Sequence, residues 1–392
     1  MNATTIPIPE EVLDIARALE RAGYEAWCVG GAVRDALLGD PNMDYDIATS
    51  ARPEDVMRLF PRTVPVGLRF GTVGVLDRHR QLHEVTTFRR DIETDGRHAV
   101  VQYGVSLVDD LARRDFTINA LAYHPLRGQW LDPFDGKADL ERGVVRAVGD
   151  AAQRFREDYL RILRGLRFAA RLGFQIAPAT WEAARAAADG LPQLSAERVR
   201  DEWFKSLRTA RDIDVLVRLW LESGVAAAWM PELEALPEGG LPSIDPAERD
   251  PVLLTCLVTG DPVAVLRRLK ASNQEIGRAV GVRDAAPVPA QVDEVTVRRW
   301  LSRVGPAAED HATLIRWRTG ALPAWGPVME RIRARGDALT RDALAISGVD
   351  LRAAGVEPGP KMGRVLDHLL ERVLEDPALN TREQLLALAR TA

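Results

Sequence analysis

The sequence predicts an α+β protein, with a small mixed sheet in the first third and an all-helical remainder. Three observations carry this. Short β-rich runs ("YEAWCVGG", "MDYDIAT", "TVPVG", "TVGVLD", "LHEVTTFR") alternate with helical stretches and turn residues over roughly the first 90 residues. From about residue 150 nearly every stretch has helical periodicity with short breaks. Aromatics make up only 6% of the 392 residues while Ala, Leu, Val and Arg abound, which favours helix over an all-β design.

The elements follow in order. "IPEEVLDIARALERAG" predicts an opening helix with Val12, Ile15, Ala16 and Leu19 on one face and a stop at Gly23. "AVRDALLG" predicts a short helix ending at Gly39, and "RPEDVMRLFP" one closed by Pro61. The strands should form a small sheet with helices on one face. "RDIETDGRHA" is polar and contains glycine, which predicts a mobile loop. "LVDDLARRDFTINALAYHP" returns to helical character, and "GQWLDPFDGKADLERGVVRAVG" is turn-rich with short strands. "AAQRFREDYLRILRGLRFAARLGF" predicts one strong amphipathic helix. Proline-containing stretches near 237–251 and 284–290 mark module boundaries, so the expected domains are 1–150, 151–211, 212–290 and 291–392. There is no low-complexity tract and no internal repeat.

Composition narrows the function classes. The net charge of −5 excludes a chain-wide basic coat for nucleic acid. Residues 151–211, however, carry 12 Lys and Arg against 7 Asp and Glu, a surplus of five that leaves about −10 for the rest. Phosphate contacts need only such a local patch. The two cysteines, Cys28 and Cys256, lie in apolar surroundings and read as reduced core residues. The six histidines show no metal-ligand spacing with them. The N-terminus lacks a signal-peptide pattern, and no apolar run approaches the roughly 20 residues that span a bilayer. A soluble cytoplasmic protein with no membrane partner is expected.

The chemistry begins in "CVGGAVRDALLGDPNMDYDIAT", residues 28–49. A strand places residues i and i+2 on one face, so Asp44 and Asp46 project together while Tyr45 points away. Two adjacent carboxylates repel unless a cation sits between them, and Mg²⁺ prefers one or two carboxylates plus substrate phosphates. Gly30 and Gly31 lack Cβ atoms, which lets a phosphate approach the backbone, and Arg34 adds charge. An exposed turn pair explains Asp-x-Asp alone equally well; the order and spacing of the two features raise the signal. Glu84, in "LHEVTTFR", is a candidate third carboxylate on a neighbouring strand, or else a surface residue of an edge strand.

Four later segments occur in order: "LARRDFTINALAY" (111–123), "LDPFDGKADL" (131–140), "REDYLRILRGLRFAARLGF" (156–174) and "SAERVRDEWFKSL" (195–207). With the opening motif they resemble the class II tRNA nucleotidyltransferases, which include CCA-adding enzymes and bacterial poly(A) polymerases. The resemblance is close over roughly the first 210 residues and weaker beyond. It implies a nucleotidyltransferase (polymerase-β-like) head followed by helical neck, body and tail. By position, Asp44 and Asp46 resemble the metal-binding pair, and Gly30, Gly31 and Arg34 the triphosphate loop. Arg114, Asp115 and Asn119 match a motif that touches sugar and phosphates. Glu157, Asp158 and Arg161 match the Glu-Asp-x-x-Arg motif that selects the incoming base.

That selection has a physical rationale. Asp158 and Arg161, three apart on the expected helix, share a face. An ionised Asp only accepts hydrogen bonds and Arg only donates. Cytosine presents its 4-amino donor beside the N3 acceptor, and adenine its 6-amino donor beside N1; both match. Guanine and uracil present the reverse polarity and would leave buried polar groups unpaired. An ordinary surface ion pair is the alternative for these two residues taken alone. Arg161, Arg164, Arg167 and Arg171 form a stripe suited to triphosphate and RNA, with a solvated face equally open for the last two.

The resemblance therefore implies template-independent addition of CCA to tRNA from CTP and ATP, with Mg²⁺ as cofactor and pyrophosphate released. The long segment at about 89–103 resembles the flexible element of enzymes that add the terminal A. A-adding, CC-adding and poly(A)-polymerase activities stay open, although the tail "TREQLLALARTA" lacks the basic extension of many poly(A) polymerases. A non-catalytic RNA-binding module is a rival from another class. Its mark, loss of the aspartate pair, is absent. The helical C-terminal half is expected to grip the tRNA by shape and phosphate contacts.

Overall fold

The computed structural model describes residues 5–40, 44–94, 99–237 and 239–390. The opening residues form α1 (Glu10–Arg21), with Val12, Ile15, Ala16 and Leu19 all buried, as the periodicity requires. Then come β1 (Ala26–Val29), α2 (Gly31–Leu37), β2 (Asp46–Thr49), α3 (Pro53–Leu59), β3 (Thr63–Gly67), β4 (Thr72–Leu76) and β5 (Leu82–Thr87). They continue into β6 (Arg89–Thr94), β7 (Ala99–Tyr103), α4 (Leu107–Ala112), β8 (Ala122–His124), β9 (Gln129–Leu131), α5 (Gly136–Arg142) and β10 (Val144–Val145).

Seven of these strands form one sheet in the order β3-β4-β5-β2-β1-β8-β9. The β2–β5 pair is parallel and the others are antiparallel, so the sheet is mixed, as expected. Alternation along the strands splits its side chains between two cores. Cys28, Ile47, Val73 and Val85 pack with Val12, Ile15 and Leu19 of α1. Val29 and Ala48 point the other way and are covered by Leu107 and Leu111 of α4. The expectation of helices on one face is thus corrected: α4 caps part of the second face, held by a Ser106–Asp109 capping box.

Two further sequence expectations are corrected here. The stretch 89–103 forms the antiparallel β6–β7 hairpin, pairing Arg89 with Tyr103 and Arg90 with Gln102. Its tip, 95–98, lies outside the described residues. The pairing of β6 with β7 is made through the backbone, which the polar side chains of this stretch do not announce. "LVDDLARRDFTINALAYHP" is helical only over Leu107–Ala112; it then makes a 3-10 turn at Thr117–Asn119 and strand β8.

The helical part of the first compact unit comprises α6 (Ala151–Glu157), α7 (Leu160–Leu172), β11 (Gln175–Ile176), α8 (Pro178–Ala186), α9 (Ala196–Thr209), α10 (Ile213–Glu222) and α11 (Val225–Trp229). Its core includes Trp203 of α9 against Trp220 of α10, ring centroids 4.7 Å apart. That unit is Met1–Ala235 with Arg268–Lys270. The predicted single helix over 151–174 is broken: α6 stops at Glu157, Asp158 is extended (φ −156°), and α7 restarts at Leu160. Tyr159, at the break, lies over Gly190, where an added Cβ would meet its ring at 2.0 Å.

The second unit is Leu236–Arg267 with Ala271–Ala392. The remaining helices are α12 (Pro251–Val258), α13 (Pro262–Arg268), α14 (Asn273–Arg283), α15 (Glu294–Val304), α16 (Ala307–Thr319), α17 (Gly326–Arg335), α18 (Gly348–Ala353), α19 (Pro360–Glu375) and α20 (Arg382–Ala389). One core of this unit centres on Trp300 and Trp325, and another on Leu351, Leu369, Val373 and Leu385. No helix among the described residues is long and apolar enough to cross a membrane. Both cysteines are buried and unpaired, and burial pushes the Cys256 thiol up to about 12.

The Tyr159–Gly190 contact fixes where the helix breaks, so Gly190→Ala should overpack this point and cost about 1–3 kcal/mol. Urea unfolding should show a lower midpoint; an unchanged midpoint would mean that Tyr159 is free to move aside.

Candidate active site

A cleft of about 690 Å³ opens where β1 ends and β2 begins. Val29 pairs with Asp46, which sets the turn after β1 beside the first residue of β2. Gly30 takes φ +81° and ψ −142°, a backbone shape reserved for glycine. A Cβ there would stand 3.2 Å from Arg114 Nη1 and 3.5 Å from Asp46 Oδ2. Gly31 begins α2, and both glycines line the cleft.

The head contributes a chain of polar contacts. Arg34, 2% exposed, donates from Nε to Asp35 Oδ1 at 2.8 Å and from Nη1 to Asn119 Oδ1 at 2.5 Å. Asn119 Nδ2 donates to Asp115 Oδ1 at 3.0 Å. Arg164 of α7 closes on Asp115 Oδ2 with Nε at 2.8 Å. Burial raises the Asp115 carboxyl, but Arg164 and the hydrogen bond from Asn119 outweigh it and hold the group below its ordinary value. Arg114 donates to the Asn119 carbonyl at 3.3 Å. Its Nε is buried without a hydrogen-bond partner among the described residues.

The base-selecting motif is arranged differently from the expected single helix. Asp158 and Arg161 both line the cleft, but Asp158 sits in the break and Arg161 in the first turn of α7. Asp158 Oδ1 accepts the Leu160 N–H at 3.0 Å, and this local bond stabilises the break, as short acceptor side chains do at helix starts. Arg161 Nη1 donates to Glu157 Oε2 at 2.7 Å, and Nη2 to the Arg113 carbonyl at 3.1 Å. Glu157 does not line the cleft; it holds Arg161. Arg167 is 3% exposed and bound to Glu202 at 2.7 Å, which removes the solvated-face reading for it. Arg171 likewise lines the cleft and bonds Asp35 at 3.0 Å.

Of the three candidate carboxylates, only Asp46 lines the cleft. Asp44 and Asp46 are exposed around a buried Tyr45, as the alternation requires. Glu84 is exposed on β5; since Ile47 pairs with Val85, it is the neighbour of Asp46 across the parallel pair. The Asp46 carboxyl is pushed up to about 6, first by the water it loses at the cleft wall, then by Glu84 and Asp44, with Arg114 opposing. No three acidic, His or Cys side chains among the described residues converge into a metal cage. Glu84 thus stands beside Asp46 on the neighbouring strand, outside the lining of the cleft. A crowded acidic pair beside a cationic cleft still fits a divalent ion that takes its other ligands from substrate phosphates.

Sequence reasoning missed several cleft residues. Phe168 lies under three guanidinium groups, 5.0 Å from Arg34, 5.6 Å from Arg164 and 4.4 Å from Arg167. Arg198 and Lys205 of α9 also line the cleft. Burial, then Arg167, pushes the Lys205 ammonium down. Their signal lay in "SAERVRDEWFKSL", where Arg198, Glu202 and Lys205 share a helix face by spacing alone.

A mixed sheet that presents a carboxylate beside a glycine turn, joined to a helical neck rich in arginine, defines the nucleotidyltransferase class of head and neck. Residues 26–146 match the family model of the poly(A) polymerase head domain, 173–236 the "Probable RNA and SrmB- binding site of polymerase A", and 322–389 the second domain of tRNA nucleotidyltransferases. A CCA-adding enzyme of Lactiplantibacillus plantarum is 37% identical, with 96% of this chain and 94% of that one covered. That of Geobacillus stearothermophilus is 36% identical, covering 96% of each chain. The crystal structure of the Bacillus stearothermophilus CCA-adding enzyme in complex with CTP superposes with a TM-score of 0.80 at 35% identity, covering 97% of this chain and 96% of that one. The chain belongs to the tRNA nucleotidyltransferase family of CCA-adding enzymes and poly(A) polymerases.

The crowding of Asp46 has a measurable cost. A carboxyl raised from 3.8 to about 6 binds its proton more tightly in the folded chain, so ionising it costs stability as pH rises through that window. In buffer with chelator, Asp46→Asn should raise the thermal midpoint above that of the unsubstituted chain at pH 7.5, and the gain should vanish near pH 4. A gain that does not change with pH would contradict the charge argument.

Proposed function

We propose that this chain adds CCA to the 3′ end of tRNA from CTP and ATP, without a nucleic-acid template, releasing pyrophosphate. The observation that carries the reading is the presence in one cleft of a carboxylate at a glycine turn and of the Asp158–Arg161 acceptor and donor, each held by a separate partner. Near-full-length relatives named as CCA-adding enzymes support it.

The triphosphate is placed along Arg34, Arg114, Arg164 and Arg167, whose planar donors suit phosphate oxygens. The glycine turn lets it approach the backbone, and the guanidinium of Arg114 at the cleft wall adds positive charge beside it. Arg114, Asp115 and Asn119 orient the sugar and phosphates. Asp158 accepts the exocyclic amine of cytosine or adenine, while Arg161 donates to its ring nitrogen. Asp44 and Asp46 would hold Mg²⁺, which when bound would neutralise phosphate charge and acidify the RNA 3′-hydroxyl. The hydroxyl attacks the α-phosphorus in line and pyrophosphate leaves, with Glu84 adding negative potential beside Asp46 from the next strand. Catalysis is then mostly positioning and electrostatics. We assign the head to 1–150, the selecting neck to 151–211, and tRNA binding to the body (212–290) and tail (291–392).

The test uses tRNAs ending before CCA, after C and after CC, with CTP and ATP supplied singly and together, and sizes the products. Stepwise C, C, A addition is expected; a run of A residues would indicate a poly(A) polymerase. Asp44→Ala or Asp46→Ala should lower transfer by at least about a hundredfold, and near-normal transfer in either variant would sink the metal assignment. Shortening the β6–β7 hairpin should spare C addition and impair A addition. Equal loss of both would count against its role in the terminal step.

A further inference from the structure

The motif "SAERVRDEWFKSL" has no part in the mechanism above, yet it lies behind both readers of the cleft. Ser195 caps α9, and the helix then turns Arg198 and Glu202 toward α7. Arg198 Nη2 donates to Asp158 Oδ2 at 2.8 Å. Four residues on, Glu202 holds Arg167. The two oxygens of Asp158 are thus engaged by different elements: Oδ1 by the Leu160 N–H of α7, Oδ2 by α9.

This matters because Asp158 sits in an extended break. One bond to Leu160 fixes its position but leaves the carboxylate plane free to turn about its last torsion, which is a broad and soft one. A second, charge-assisted bond from Arg198 fixes the plane. Each carboxylate oxygen retains a lone pair, so a base amine can still be accepted. Arg161 has the matching arrangement, pinned by Glu157 and the Arg113 carbonyl.

We infer that Arg198 is a specificity-determining positioning residue: from α9 it sets the plane of the Asp158 carboxylate, and so the discrimination of C and A from U and G. The inference rests on the base-reading role proposed above. Arg198 also lines the cleft, so contact with a phosphate is the competing role. The two differ in a readable way. Phosphates are common to all four nucleotides, whereas the plane of Asp158 matters only to bases that donate to it.

The experiment measures single-nucleotide addition by the full chain to tRNA lacking CCA, with each of the four nucleotides alone, for the unsubstituted chain, Arg198→Met and Arg198→Lys. The unsubstituted chain should favour CTP over UTP. Arg198→Met should raise the KM for CTP more than it lowers kcat, and shrink the CTP-over-UTP preference about tenfold or more. Arg198→Lys, a point charge without the planar fork, should recover part of that preference. An equal loss of affinity for all four nucleotides would overturn the inference in favour of phosphate binding. An unchanged preference, or tighter CTP binding in Arg198→Met, would overturn it as well. If Arg198→Met does not fold by circular dichroism, Arg198→Gln is read in its place by the same criteria. An unsubstituted chain that transfers all four nucleotides alike would overturn the base-reading assignment itself, before any variant is compared.

Discussion

Concentrating arginines around one cleft is the constraint on which this molecule is built. Like charges at short range repel, and the structure answers by pairing the guanidinium groups with acidic side chains. Asp35 takes Arg34 and Arg171, Asp115 takes Arg164, Glu202 takes Arg167, and Glu157 takes Arg161. Phe168 offers a π face to Arg34, Arg164 and Arg167 at once. Buried ion pairs of this kind seldom add much net stability, because desolvation offsets the attraction. Their consequence is positional: donors stand in place before any phosphate arrives.

The same contacts join the head to the first neck helices inside one compact unit. The path Arg34–Asn119–Asp115–Arg164 runs from α2 through the 3-10 turn to α7. Arg161 reaches back to the Arg113 carbonyl. Asp158 and Arg161 at the start of α7 and Asp46 at the start of β2 are therefore held in one frame, although over a hundred residues separate them in sequence. In the proposed mechanism the head, with its crowded Asp46, supplies reactivity, and the neck, with Asp158 and Arg161, supplies choice.

Much of this was legible in the sequence where local physics decided the outcome. The buried face of α1, the strands of the mixed sheet and the alternation around Tyr45 follow from apolar spacing. The break at Asp158 did not, because the apolar residues of α6 and α7 continue in near-helical register across it, and it is held by a side-chain bond to Leu160, the Arg198 bond and the Tyr159–Gly190 contact. The β6–β7 hairpin was hidden by its polarity, and the place of "ALAY" as β8 by its position in the sheet, which only the long-range fold decides. The ordered motifs pointed to Gly30, Gly31, Arg34, Asp46, Arg114, Asp115, Asn119, Asp158, Arg161, Arg164 and Arg167, which line one cleft; Arg198, Lys205 and Phe168 were not singled out, since a helix face shows what it could reach but not what stands opposite.

The central claim is that base choice and chemistry reside in different parts of the cleft. It is tested most directly by Asp158→Ala, assayed with each of the four nucleotides alone on tRNA lacking CCA. The account predicts that pyrophosphate release persists while the preference for CTP and ATP over UTP and GTP collapses to within about tenfold, because the acceptor that rejects the reversed bases is gone. Retention of the full C and A preference in this variant would place base selection elsewhere and contradict the account.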